Sequence, residues 1–189
     1  MAASPVARAL PRRGTTLAQA IVLGGLVGGA LDLLFAVVFG AARGVAAGRV
    51  LQSVASGLLG SAAYDGGTAT ALLGVACHGV LSLGWAALLA ATCVRIPRLL
   101  RHPVWTGVAF GAVVFLAMRL VVLSLSAYPA PVAFRPLAST LDFASHLFLF
   151  GVPIALALAR AERFAGASFR EMTNPGARAA GNTRKGIRP

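Results

Sequence analysis

Residues 17–39 read LAQAIVLGGLVGGALDLLFAVVF. A single charged residue, Asp32, interrupts this apolar, glycine-rich run. A helix needs roughly 20 mostly apolar residues to cross the hydrocarbon core of a bilayer, and the run reaches that length. It is too long for the apolar region of a cleaved signal peptide, which has about 7 to 15 residues. The stretch therefore predicts a transmembrane helix that stays in the protein as a membrane anchor.

Three further stretches have the same character, and they cover residues 68–94, 104–126 and 138–159. The chain has 189 residues, of which 58% are hydrophobic and 12% charged. Soluble proteins are usually about 45 to 50% apolar, so the composition excludes an ordinary soluble domain. We expect an all-α integral membrane protein in which residues 17–160 form a bundle of four transmembrane helices.

Basic residues predict the orientation of this bundle. The chain has 17 Lys and Arg against 5 Asp and Glu, a formal net charge of +12. Arg43, Arg49 and Arg135 fall on one side of the predicted spans, and the other basic residues outside the spans fall on the opposite side. Cytoplasmic segments have the excess of Lys and Arg, so we expect both termini in the cytoplasm. Nucleic-acid binding is not predicted, because the cations flank apolar runs and form no patch on a polar face.

Three segments lie outside the predicted spans. Residues 47–62 have apolar residues at helical spacing and predict a short helix on the outer side. This helix lies in the interface or against the bundle, or alternatively re-enters the membrane as a pore segment. Residues 1–16 form a basic cytoplasmic N-terminus. Residues 161–189 lack the apolar content to pack, and they predict a disordered basic tail that contacts anionic lipid headgroups.

Five ionisable side chains fall inside the predicted spans. They are Asp32, His78, Arg119, Asp142 and His146. At about 1.5 Å of rise per residue, one group on each helix lies roughly 10 to 15 Å below the outer interface, and Asp142 is one turn from His146. An arginine near the bilayer centre costs about 2.5 to 3.5 kcal/mol and is rarely unpaired, so we expect Arg119 to contact Asp142. The sequence therefore predicts one intramembrane polar layer.

The polar layer has three interpretations. Buried Asp, Arg and His side chains join helices, so the first is a structural layer in a noncatalytic membrane protein. Chains of Asp and His also line proton paths, so the second is a proton- or ion-coupled transport component. The third is bis-His ligation of haem b by His78 and His146, which lie at one depth. No other cofactor, no metal site and no enzymatic activity is predicted, because the sequence lacks the motifs of such sites.

Glycines at four-residue spacing predict where the helices approach each other. Small residues at this spacing let two helix backbones pack closely. We expect packing within the chain and not dimerisation, because four spans have to assemble. The predicted packing residues are Gly24, Gly25, Gly28, Gly29, Gly107 and Gly111.

Two segments resemble those of a known family. Residues 51–60 read LQSVASGLLG, and residues 146–160 contain Gly151-Val152-Pro153. Over residues 18–160 the chain resembles small bacterial membrane proteins of the YagU-like inner-membrane family. The resemblance implies a multi-pass protein of the bacterial inner membrane, and it assigns no chemistry to any residue.

Overall fold

Helices make up the regular structure of the chain. The computed structural model describes residues 15–131 and 133–173. Its five helices are α1 (Leu17–Ala42), α2 (Ala47–Leu59), α3 (Gly67–Arg95), α4 (Pro103–Leu125) and α5, which begins at Pro136 and ends at Thr173. Short 3-10 turns, Gly60–Tyr64 and Pro97–Arg101, precede α3 and α4.

Four of these helices are long and apolar enough to cross a membrane. They are α1, α3, α4 and the Pro136–Arg163 part of α5. The prediction of an all-helical chain with four such helices is confirmed. Their limits lie close to the predicted ones, because hydropathy and length alone define segments of this kind.

Local chemistry determines where the helices begin. The Thr16 hydroxyl accepts a hydrogen bond from the Gln19 backbone N–H at 3.2 Å, and Gln19 Oε1 accepts one from the Thr16 N–H at 2.9 Å. This reciprocal pair is a capping box, which satisfies backbone donors at the start of α1. Pro103 and Pro136 are the first residues of α4 and α5, where a missing backbone N–H is harmless.

The helices form an open ring. α1 packs between α3 and α5, and α4 packs against α5. In the part of the chain that the structure describes, α3 and α4 have no extensive contact, and a cavity lies between them. The two helices are joined only by a short connection, so this side of the ring remains open.

Small side chains fill many of the helix contacts, and many large apolar side chains point outwards. Ala20, Ala86 and Ala155 are completely buried, whereas Leu125 is 84% exposed and Leu120 is 67% exposed. A protein in water buries its large apolar residues. Small residues at helix contacts are typical of helices that pack in lipid, because they let the backbones approach.

α2 packs with its polar face inwards. Gln52 and Ser56 are buried, while Leu58 is 66% exposed. The Gln52 Nε2 donates to the Gly67 carbonyl at 3.0 Å and to the Thr70 hydroxyl at 3.3 Å. This is the reverse of an amphipathic helix on a soluble protein. Of the expected placements, the geometry agrees with a helix packed against the bundle.

The structure differs from the predicted disorder of residues 161–189 in the first part of that segment. α5 continues without a break to Thr173. Ala, Glu, Arg and Met have high helix propensity, and they extend a helix that the span has already nucleated. The rest of the predicted tail, residues 174–189, and most of the predicted N-terminal segment, residues 1–14, lie outside the described residues.

Candidate functional site

Glycines bring the backbones of three helices close enough for their polar side chains to meet. A Cβ on Gly111 would overlap the His146 carbonyl oxygen, and one on Gly107 would lie 2.5 Å from the Val152 Cα. α4 and α5 therefore touch through their backbones at these positions. All six predicted packing glycines lie at contacts between helices: Gly24 and Gly28 against α5, Gly25 and Gly29 against α3, and Gly107 and Gly111 against α5.

α4 and α5 each contain a π-helical segment at the depth of the charged residues. The segments are Met118–Val122 and His146–Gly151. Such segments rotate the side chains that follow them, and they are frequent at functional sites. Pro153, close behind the second segment, lacks a backbone N–H and is the sequence signal that marks it. Neither segment was predicted from the sequence, and no comparable signal marks the one in α4.

The expected ion pair between Arg119 and Asp142 joins α4 to α5. Arg119 Nη1 lies 3.4 Å from Asp142 Oδ2, and Arg119 Nη2 donates to the Ala133 carbonyl at 2.7 Å. The guanidinium carbon is 5.5 Å from the centre of the Phe115 ring, a cation–π geometry. The Asp142 side chain is 41% exposed, against 22% for Arg119. The pair is therefore open on the carboxylate side.

Asp32 of α1 joins the same cluster through two residues of α5. The Ser145 hydroxyl lies 2.7 Å from Asp32 Oδ1 and 2.9 Å from the Asp142 carbonyl oxygen. His146 Nδ1 lies 3.5 Å from Asp32 Oδ1 and 3.4 Å from Asp142 Oδ1. We refer to Asp32, Arg119, Asp142, Ser145 and His146 as the polar network. Ser145 was not among the polar-layer residues predicted from the sequence, although it directly precedes His146.

The position of one hydrogen on His146 follows from its neighbours. Nδ1 lies 2.9 Å from the Asp142 carbonyl oxygen, which only accepts hydrogen bonds, so Nδ1 holds a hydrogen. The rings of Phe115 and Phe150 flank the imidazole, with centroid distances of 5.6 and 6.2 Å. Nε2 is therefore the nitrogen of His146 that gains or loses a proton.

The polar network can hold one additional proton. With neutral His146, it contains two carboxylates and one guanidinium, a net charge of one negative unit. A proton on His146 Nε2 would neutralise it. A proton on Asp32 would do the same, because the carboxyl would then donate to Ser145, whose own hydrogen would turn to the Asp142 carbonyl.

His78 lies outside the polar network. Its Nε2 is 2.9 Å from the Gly29 carbonyl oxygen on α1, and its own carbonyl accepts the Ser82 hydroxyl at 2.7 Å. A nitrogen that donates to a carbonyl has no lone pair for iron. His146 lines the cavity between α3 and α4, whereas His78 does not. Bis-His ligation of haem through Nε2 would therefore require the His78 imidazole to leave the Gly29 carbonyl.

Two cavities reach the polar network. The first, which we call the outer vestibule, has a volume of about 530 Å³ and lies between α1, α2, α4 and the start of α5. The second, which we call the lateral groove, has a volume of about 740 Å³ and lies between α3 and α4 beside α2. Arg119 and Asp142 line both cavities, and His146 lines the lateral groove.

Comparison with known proteins adds no relative: no family model, curated protein or solved structure matches the chain. Among the described residues, no group of three or more His, Cys, Asp or Glu side chains could hold a metal ion. The fold and the site define a helical protein whose four long apolar helices surround an Asp–His–Arg network.

Proposed function

We propose that this chain is a noncatalytic, multi-pass protein of the bacterial inner membrane whose polar network takes up and releases a proton as part of a transport process. The outward-facing leucines and valines and the reversed polarity of α2 support its placement in lipid. One observation leads to the proton role: His146 Nδ1 lies within 3.5 Å of the carboxylates of Asp32 and Asp142, which come from different helices.

A structural network is the second candidate, since the same contacts join α1, α4 and α5. It is favoured by the complete pairing of buried polar groups: within the described chain, every buried side-chain nitrogen or oxygen has a hydrogen-bond partner. A joining role alone gives no reason for the network to open on two cavities or for Asp142 to be 41% exposed. Accessible titratable groups at a junction of cavities are typical of a proton path.

The charged side chains near His146 come from three helices, α1, α4 and α5. Asp32 approaches from α1, Arg119 pairs from α4, and Asp142 lies on α5 itself. On α3, His78 turns to the Gly29 carbonyl instead. Protonation of His146 is therefore controlled by two carboxylates and by the arginine that neutralises one of them.

On the proposed cytoplasmic side, apolar side chains close the bundle directly beneath the network. Phe150, Ile154 and Leu158 of α5 are 3%, 0% and 1% exposed and pack with Val114 of α4. A proton therefore reaches the network from the two cavities and not from the cytoplasmic half. Transport would require α4 and α5 to move relative to each other, and the π-helical segments are the places where their backbone bonding departs from the regular pattern.

Proton uptake into liposomes tests this proposal. We expect the reconstituted protein to acidify liposomes that contain a pH dye when a potassium gradient and valinomycin make the interior negative. His146→Gln keeps hydrogen-bonding capacity but does not titrate, so it should reduce uptake to that of protein-free liposomes. Asp32→Asn should do the same, because it removes the second proton position.

His102→Gln is the matched control, since His102 is exposed in the connection before α4. It should leave the uptake unchanged. Folded His146→Gln and Asp32→Asn proteins with the uptake of the unmodified protein would contradict the proton role and favour the structural candidate.

Cysteine labelling tests the proposed orientation. In a background without the two native cysteines, cysteines at Gly48 and Ala133 should react with a membrane-impermeant maleimide in intact cells. Cysteines at Ala3 and Arg178 should react only after the membrane is permeabilised, because the basic segments lie in the cytoplasm. The opposite labelling pattern would reverse the orientation.

A further inference from the structure

The outer vestibule is positively charged. Arg43 from the end of α1, Arg119 from α4 and Arg135 just before α5 line it, and Asp142 is the one acidic side chain among its described lining residues. Arg43 and Arg135 are exposed. Arg119 uses part of its five N–H donors on Asp142 and Ala133. The guanidinium carbon of Arg43 lies 5.5 Å from the centre of the Phe39 ring, which also lines the vestibule. Three arginines that line one space attract an anion, and guanidinium groups match the oxygens of a phosphate.

The lateral groove is largely apolar. Its walls include Val54, Leu58, Leu73, Val80, Met118 and Val122. Its charged lining residues among those described are Arg119 and Asp142, which lie with His146 at the network. The volume of about 740 Å³ is within the range of about 300 to 1,000 Å³ that small-molecule sites occupy. Because the groove lies where α3 and α4 separate, a bilayer around the bundle would face its opening.

The two cavities adjoin each other. Five residues line both of them: Ser53, Arg119, Leu123, Tyr128 and Asp142. The positively charged outer vestibule and the apolar lateral groove therefore share one wall. We propose that they form a single binding site for an anionic phospholipid, with the phosphate at the vestibule arginines and an acyl chain in the lateral groove. This inference rests on the membrane placement proposed above. A bound lipid would occupy the two cavities through which protons reach the polar network, so lipid binding and proton uptake are tested with separate variants.

The depth of each part agrees with this occupant. Arg43 and Arg135 lie at the outer ends of their helices, at the level of the lipid headgroups. Arg119 lies about two turns deeper, and the apolar walls of the groove begin beside it. A free phosphate would leave the groove empty. A choline headgroup would bring a cation next to three arginines, so the site should prefer a lipid with net negative charge.

Native mass spectrometry of the full-length protein in detergent tests the headgroup preference. Phosphatidylglycerol should bind, and phosphatidylcholine with the same acyl chains should bind about fivefold more weakly, the effect of one unfavourable charge. The double variant Arg43→Gln/Arg135→Gln should lose about 25-fold in phosphatidylglycerol binding, about fivefold for each charge. The double variant with lysine at both positions retains the charges and should retain most of the binding.

Arg49→Gln is the matched control for the arginines. Arg49 also lies on the outer side, but its guanidinium contacts the Tyr64 carbonyl at 3.2 Å and the Tyr64 ring, outside both cavities. It should leave phosphatidylglycerol binding unchanged. Equal binding of the two lipids by the unmodified protein, or equal losses in the Arg49→Gln and double-glutamine variants, would overturn the proposal.

The acyl-chain site is tested separately. Val80→Trp fills the lateral groove and should abolish phosphatidylglycerol binding. Val38→Trp makes the same substitution on α1, at a residue that is 58% exposed and outside both cavities, and it should have no effect. Glycerol phosphate, the headgroup alone, should not displace the lipid. Displacement by glycerol phosphate, or unchanged binding by Val80→Trp, would replace the lipid with a soluble phosphate as occupant. These variants leave Asp32 and His146 intact, so their outcome is separable from that of proton uptake.

Discussion

Arg119→Leu is expected to destabilise the detergent-purified protein by about 3 kcal/mol, the low end of the range for breaking a buried ion pair, because Asp142 is partly exposed. The substitution leaves Asp32 and Asp142 without a permanent positive charge nearby. A second substitution, Asp142→Leu, should restore most of the loss, because the remaining Asp32 and His146 can form a neutral pair once His146 is protonated. Denaturation of the single and double variants measures the coupling energy.

Arg49→Leu is the control for the loss of an arginine as such. It removes an outer-side contact to Tyr64 and leaves the polar network untouched, so we expect an effect below about 1 kcal/mol, as for other exposed charges. A double variant whose loss equals the sum of the two single losses would show that Arg119 and Asp142 contribute independently. That result would contradict the direct pair.

Hydropathy and helical rise explain which contacts could be predicted from the sequence. The four long helices follow from segment length, because crossing a bilayer requires a fixed number of apolar residues. The Arg119–Asp142 pair follows from depth, because the two residues lie at similar levels on consecutive spans. Depth alone does not specify the direction of a side chain around its helix. His78 was therefore placed in the layer, whereas its imidazole contacts the Gly29 carbonyl instead.

Other features depend on tertiary structure and leave little trace in the sequence. Ser145 joins Asp32 to Asp142 because Gly28 lets α1 approach α5 near Phe150, whose carbonyl oxygen would lie 2.8 Å from a Cβ at Gly28. The lateral groove exists because α3 and α4 separate along their length, and no local pattern encodes such a gap. The inward polar face of α2 can be predicted from the sequence only if lipid, and not water, surrounds the bundle.

The contact between α4 and α5 at Gly111 makes this glycine sensitive to substitution. Gly111→Ala should destabilise the protein by about 2 kcal/mol, because overpacking costs typically 1 to 3 kcal/mol and the new Cβ would overlap backbone atoms of His146 and Leu147. Backbone atoms cannot rotate away as a side chain can, so the two helices would have to separate. The helix propensity of alanine recovers about 1 kcal/mol at most, and the steric penalty exceeds it.

Gly79→Ala on α3 measures the gain in helix propensity alone, because a Cβ at Gly79 would meet no described atom beyond its own helix backbone within 4 Å. This variant should be neutral or stabilising by up to about 1 kcal/mol. Thermal denaturation of both variants in one detergent gives their difference in stability, which measures the cost of crowding the α4–α5 contact. Separation of α4 from α5 would also move Arg119 away from Asp142, so Gly111→Ala should lose proton uptake while Gly79→Ala keeps it. Equal stability of the two variants would mean that the backbones of α4 and α5 do not touch at Gly111, and the alignment of the polar network would then require another explanation.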